Sequence, residues 1–254
     1  MFVSFFYLPA ASMAWGVLGH RIVGQIATTY LTPKAKAAIG KILGNESIAM
    51  ASNWGDFIKS DPTLTAVSAW HYVDIEPGLS KEAVMDFLTK DTAVDAYTKI
   101  NFMVKQLKNG QLPLAKKQFY LKMLIHIVED IHQPLHVGRH EDMGGNKIKV
   151  SWFSVPSNLH RMWDEGLINF QELSYTEYAA AINFTTPQQR KEMQQKNLKA
   201  WIYDSYQVAD KIYAEIQPDE QLSYQYNYKF IAIVNQQLLK GGVHLANVLN
   251  EIFG

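Results

Sequence analysis

Apolar residues recur at three- and four-residue spacing along most of this 254-residue chain, and only one short stretch alternates as a strand would. Helical stripes of that kind must be covered by one another, so the chain is constrained to helices packed on helices. Val17, Ile22, Ile26 and Tyr30 mark a helix over 16–31; Thr32-Pro33 then opens the next, which stops at Gly44 after Leu43. A third helix is expected over 48–59, before Asp61-Pro62, and a fourth over 91–108 with Gly110 just past its end. Residues 113–131 form a long apolar-faced helix closed by Gln133-Pro134. Ser157 caps another that runs through Ile168, and 174–182, 187–216 and 224–252 complete the set. Segment 137–157 interrupts them with Gly138, Gly144, Gly145 and Pro156, and the alternating stretch Lys147-Ile148-Lys149-Val150 reads as a short strand pair. The expected fold is all-α, an irregular single-domain helical bundle with a small β-hairpin. With no repeat, charge block or linker, residues 15–254 read as one domain.

Charge and composition narrow the chemistry. Lys plus Arg and Asp plus Glu each total 24, so the protein has no overall field with which to attract a polyanion. A hydrophobic share of 48%, with 12% aromatic, excludes a disordered chain. There is no cysteine, which excludes disulfides, thiolate metal sites and cysteine nucleophiles. Any zinc site must therefore use His, Asp, Glu or a terminal amine. Met1 to Ala14 is apolar, too short to span a bilayer, and ends in the small-x-small pattern Ser12-Met13-Ala14. It reads as an export signal cleaved before Trp15, which makes the protein secreted or periplasmic. Because a basic n-region is missing, a buried N-terminal segment stands as the other reading. No other run is long enough for a transmembrane helix.

Two helices each carry a His and an Asp four residues apart, His126/Asp130 and His160/Asp164. Positions i and i+4 share one helix face, so each pair can grip one cation from a rigid platform. One such pair alone usually means a surface contact. Here His20, Asp56, His71 and His136 also lie in apolar or aromatic settings. Asp56 follows Asn53-Trp54-Gly55, His71 sits in an extended-looking run from Ala69 to Asp74, and His136 follows the turn at Pro134.

At these residues the chain resembles the trinuclear-zinc, single-strand-specific nuclease and 3′-nucleotidase family typified by mung bean nuclease, which is related in fold to the zinc-dependent bacterial phospholipases C. The resemblance rests on Trp15-Gly-Val-Leu-Gly-His20, Trp54-Gly-Asp56, Trp70-His-Tyr-Val-Asp74, His126-Ile-Val-Glu-Asp130-Ile-His-Gln-Pro-Leu-His136, Gly144-Gly-Asn146 and Asn158-Leu-His160-Arg-Met-Trp-Asp164. These occur in family order.

The resemblance implies three Zn²⁺ ions. Asp56, His71, His126 and Asp130 would hold the first. Trp15, through its free α-amine and carbonyl, would hold the second with His20 and a bridging Asp130. His136, His160 and Asp164 would hold the third. Three dications against three carboxylates leave a strongly positive pocket in a neutral protein, which answers how it would attract nucleic acid. A zinc-bridged hydroxide is the nucleophile that the resemblance implies, and the products carry 5′-phosphates. Asp130, Asp56 and Lys59 are the catalytic candidates, with Lys59 neutralising charge on the phosphate; a solvated helix-end lysine is the other reading of that residue. Tyr72 would stack a base and Asp74 and Asn146 would bond its edge, with Gly144 allowing close backbone approach. Tyr72 as plain core packing is the alternative. The expected substrates are single-stranded DNA or RNA and 3′-nucleotides, and the protein is expected to be a monomer without a membrane anchor. A zinc phospholipase C is the rival activity; Tyr72, Asp74 and Gly144-Gly145-Asn146 favour the nuclease. His132 could orient a ligand carboxylate, and His140 and His244 carry no assigned role.

Overall fold

The computed structural model describes residues 15–254, and the expected export signal, 1–14, lies outside them. Helix α1 (Val17–Tyr30) buries Ile22, Val23, Ile26 and Ala27. Helix α2 (Pro33–Leu43) starts where Thr32 accepts the Ala35 amide and ends at Gly44, whose φ of 66° is left-handed. The helix expected over 48–59 is broken into α3 (Ile48–Ala51), α4 (Trp54–Phe57) and a 3₁₀ turn, Ile58–Ser60. The break has a physical cause. The Ser52 carbonyl accepts from His126 Nδ1 at 2.6 Å, so it is withdrawn from the helical ladder.

The extended-looking segment around His71 instead begins in 3₁₀ structure, Pro62–His71, which is kinked at Leu64, and Tyr72 just after it is extended. Asp61 accepts the Thr63 amide and Pro62 fixes φ, so the turn chemistry at its start outweighs the strand propensity of its aromatics. Helix α5 (Lys81–Lys90) was not expected, although its Ser80 cap and the Val84/Leu88 spacing are both visible in the chain. Helix α6 (Ala96–Leu107) starts later than expected, at an Asp95/Thr98 capping box. Helix α7 (Leu114–Asp130) is the long central helix.

Strands β1 (Lys149–Trp152) and β2 (Val155–Asn158) form the expected hairpin, and Phe153 and Ser154 turn it with positive φ. Asn158 rather than Ser157 caps the next helix, by accepting the Arg161 amide. That helix comprises α8 (Leu159–Arg161), a π turn at Met162–Gly166, and α9 (Leu167–Asn169). Helices α10 (Tyr175–Ile182), α11 (Pro187–Gln195) and α12 (Leu198–Glu215) follow; Asn197 separates the last two by capping Ala200. Strand β3 (Glu220–Leu222) pairs in parallel with β1, a long-range partnership with no local sequence signal. Helix α13 (Tyr224–Phe253) closes the chain.

The core lies on both sides of α1 and α7. One cluster joins α2, α6, α7 and the end of α13 through Leu121, Leu124, Val128 and Leu249. The other joins Trp15 and α1 to Trp163, Leu167, Phe230 and Leu238. Among the described residues no helix is long and apolar enough to cross a membrane.

Candidate metal centre

The last turn of α7 carries His126, Glu129 and Asp130, all without solvent exposure. Burying carboxylates so deeply is costly unless polar partners receive them. Asp130 faces histidines on both sides. Its Oδ2 lies 2.9 Å from His71 Nδ1 and 3.4 Å from His126 Nε2, while Oδ1 lies 3.4 Å from His20 Nε2. Asp56 spans the same two groups, with Oδ1 3.6 Å from His126 Nε2 and Oδ2 3.9 Å from His20 Nε2. Gly55 permits this approach, since a Cβ there would sit 2.5 Å from the His126 ring. A second cluster forms where the turn after α7 meets α8: His136 and His160 bring their Nε2 atoms to 3.1 Å, and Asp164 reaches to 3.9 and 3.4 Å of them.

Trp15 docks between the clusters. Its indole N–H donates to the Glu129 carbonyl at 3.0 Å, and the Gly16 amide donates to the Asp164 carbonyl at 2.9 Å.

Four histidines are aimed by their other ring nitrogen. The Nδ1–H groups of His126, His136 and His160 donate to the carbonyls of Ser52, His71 and Gly144 at 2.6–2.7 Å. His20 Nδ1 meets Glu129 Oε2 at 2.6 Å, and Glu129 is itself held by the Ser52 hydroxyl at 2.7 Å. Each bond fixes the tautomer, so the Nε2 lone pairs face the clusters. Gln133 donates to Asp164 Oδ1 at 2.6 Å in the same supporting role.

Burial holds His160 down to about 4, and holds His20, His71 and His136 well below the usual imidazole range, so these rings are neutral donors at pH 7. Burial pushes Asp130 up to about 8 and Asp164 well above the carboxylate range. For Asp56 burial acts upward, but His126 and Lys59 outweigh it and hold the group well below its ordinary value. Among the described residues His20 Nε2, Asp56 Oδ2 and Asp130 Oδ1 are buried without a hydrogen-bond partner, although they converge on one another. Cations held among these groups would satisfy all three. Imidazoles with carboxylates are a donor set suited to first-row divalent metals, and the residues fit such an ion. Ligand atoms lie within 4.8 Å of one another in three groups: His20/Asp56/His126, His71/His126/Asp130 and His136/His160/Asp164.

A cavity of about 490 Å³ opens over the clusters, with His71, His136 and His160 among its lining residues. Lys59, Tyr72, Asp74, Gly144 and Asn146 all line it too. The Lys59 ammonium donates to Asp56 Oδ1 at 2.7 Å, so it is a paired group at the cavity and not a free surface lysine. Tyr72 is 41% exposed, which is open enough for a ring face to receive a ligand. Gly144 is required by its φ of 62° and because a Cβ would collide with the Leu135 carbonyl; its own carbonyl holds His160. The Asn146 side-chain Nδ2–H donates to the Met143 carbonyl at 2.8 Å.

Sequence reasoning missed four supporting residues: Glu129, Ser52, Gln133, and His140, which meets Asp74 at 2.9 Å. Glu129 had a signal, as a lone second carboxylate inside an apolar helix. His132 does not orient a ligand carboxylate. It bonds Val128 O and His244 Nδ1, and His244 stacks on Trp201.

The S1/P1 Nuclease family profile matches residues 15–254. The chain belongs to that family. Endonuclease 3 of Arabidopsis thaliana is 30% identical to it, over 97% of this chain and 91% of the relative. Nuclease P1 of Penicillium citrinum is 27% identical over 94% and 98% of the two chains. Nuclease S1 of Aspergillus oryzae is 29% identical over 63% and 56%. As an S1/P1 nuclease the protein is a hydrolase of phosphodiester bonds, and its substrates are nucleic acids.

Proposed function

We propose that this S1/P1 nuclease is a three-zinc endonuclease that cuts single-stranded DNA and RNA to 5′-phosphorylated products, with 3′-nucleotidase activity. The observation that carries this reading is the forked placement of Asp130, with one oxygen in each of two histidine groups. Asp56, His71, His126 and Asp130 hold one ion; His20, Asp130 and the Trp15 amine and carbonyl a second; His136, His160 and Asp164 the third. Bound zinc supplies Lewis-acid polarisation of a phosphoryl oxygen and lowers the pKa of a water to about 7.

The chain's own groups do the rest. Lys59 offers its charge to the phosphate from the cavity. Tyr72 stacks a base, and Asp74 and Asn146 meet the base edge, a face and an edge that a duplex hides. Residues 15–254 act as one domain, monomeric and exported, with residues 1–14 removed.

The test is metal analysis of protein that begins at Trp15, alongside digestion of denatured and duplex DNA. Three zincs per chain and strong preference for denatured DNA are expected. Equal cutting of both would refute the single-strand reading, and release of phosphocholine from phosphatidylcholine vesicles in place of DNA cleavage would make the protein a phospholipase C.

Two substitutions separate the parts. Tyr72→Ala should raise KM on single strands roughly tenfold, since base stacking is worth about 1–3 kcal/mol, while zinc content stays constant. An unchanged KM and kcat would make Tyr72 mere packing. Glu129→Ala should lower zinc affinity or activity by about 10- to 100-fold, because it frees His20 to rotate; titration of the apoprotein with zinc reads this directly.

A further inference from the structure

Helix α6 begins at the proposed base-stacking residue: the Ala96 amide donates to the Tyr72 carbonyl at 3.0 Å. Since α7 returns to the metal centre after a short turn and packs along α6, α6 leads outward from the cavity. Lys99, Phe102 and Lys105 sit three residues apart along it, which places them in one stripe. Phe102 is 39% exposed and Lys105 is exposed. The Lys99 ammonium lies 4.9 Å from the Trp70 ring centre and 5.6 Å from that of Phe102, and Phe102 meets Tyr120 edge-on at 5.6 Å.

The charge of this region is one-sided. Residues 96–128 contain six lysines and no Asp or Glu, in a chain whose total charge is zero. Glu251 and Glu46 engage Lys108 and Lys122, whereas among the described residues Lys99 and Lys105 make no ion pair. Cations alternating with an open aromatic ring are what a single strand needs: ammonium groups for phosphates and a ring for a base. From Ala96 to Lys105 the helix rises about 14 Å, the length of roughly four nucleotides at 3.4 Å each.

We propose that Lys99, Phe102 and Lys105, with Trp70 and Tyr120 beside them, form a second contact surface for the polynucleotide, which holds the strand beyond the base at Tyr72. The inference rests on the reading of Tyr72 as the base-stacking residue of a single-strand nuclease. It makes recognition length-dependent: a dinucleotide fills the cavity alone, and a longer strand also lies along α6.

The test uses processed, zinc-loaded protein carrying Lys99→Glu, Phe102→Ala and Lys105→Glu together, with folding checked by circular dichroism and zinc content. KM for a 20-nucleotide single strand should rise tenfold or more, while the dinucleotide KM and kcat stay at the wild-type values. The salt dependence of the 20-nucleotide KM should flatten by about 1.4 in log–log slope for two lost phosphate contacts. A Lys99→Arg/Lys105→Arg protein should behave as wild type. The surface is refuted if the 20-nucleotide KM and its salt slope are unchanged, or if both substrates lose equally. A wild-type protein that cleaves neither substrate overturns the single-strand reading itself, and this inference falls with it.

Discussion

Replacing Asp130 with alanine is expected to cost more than about a hundredfold in kcat/KM on single-stranded DNA and to release part of the bound metal. The magnitude follows from position. Residues that only orient a metal ligand are worth about 10- to 100-fold, and Asp130 lies directly against three histidines from two groups. Its loss therefore removes a donor from two ions together. Zinc stoichiometry and single-turnover cleavage should be measured on the same preparation, with a circular dichroism spectrum to show that the helices persist. A folded Asp130→Ala protein with full activity and three zincs would remove the basis for a shared site.

The second large effect concerns the N-terminus. The Trp15 nitrogen is a usable donor only as a free amine; inside a peptide it is a planar amide with almost no basicity. An α-amine has a pKa near 8, so zinc displaces its proton at modest cost near neutral pH. Trp15 is fully buried and anchored to Glu129 and, through Gly16, to Asp164, which places its backbone beside both clusters. Protein that retains residues 1–14, or carries a tag fused to Trp15, should hold one zinc fewer and lose about a hundredfold of activity or more. The two forms can be compared by mass spectrometry, zinc analysis and cleavage rate. Three zincs and an equal rate in the uncut form would exclude Trp15 as a ligand.

The His126/Asp130 and His160/Asp164 pairs were legible because helical periodicity carries spatial meaning: an i, i+4 pair has one geometry wherever it occurs. The other candidates were given their roles by resemblance to the family. His71 was identified as a residue of interest, yet its local structure was misread, because aromatic crowding suggests a strand while Asp61-Pro62 starts a 3₁₀ helix. The break at Ser52 was invisible for a different reason. It depends on a carbonyl claimed by His126, 74 positions away, and no local pattern reports such a bond. Strand β3 and the His132–His244 pair are hidden in the same way, since their partners are set by packing. Helix α5, by contrast, was readable from its cap and spacing.

The clusters also join parts of the chain that are remote in sequence. His71 and Asp130 are 59 positions apart, His20 and Glu129 are 109, and His136 and His160 are 24. In the proposed holoprotein each ion therefore acts as a cross-link, in a polypeptide that has no cysteine with which to form one. Unlike a disulfide, such a cross-link is governed by mass action: at a free concentration a thousandfold above its dissociation constant, one ion adds about 4 kcal/mol to stability. Chelation should then lower Tm by roughly 10 °C or more, as calorimetry with and without EDTA would show. The lifetime of the enzyme would accordingly follow the zinc supply around it: where zinc is scarce the chain loosens and becomes open to proteolysis, and where zinc is plentiful it persists.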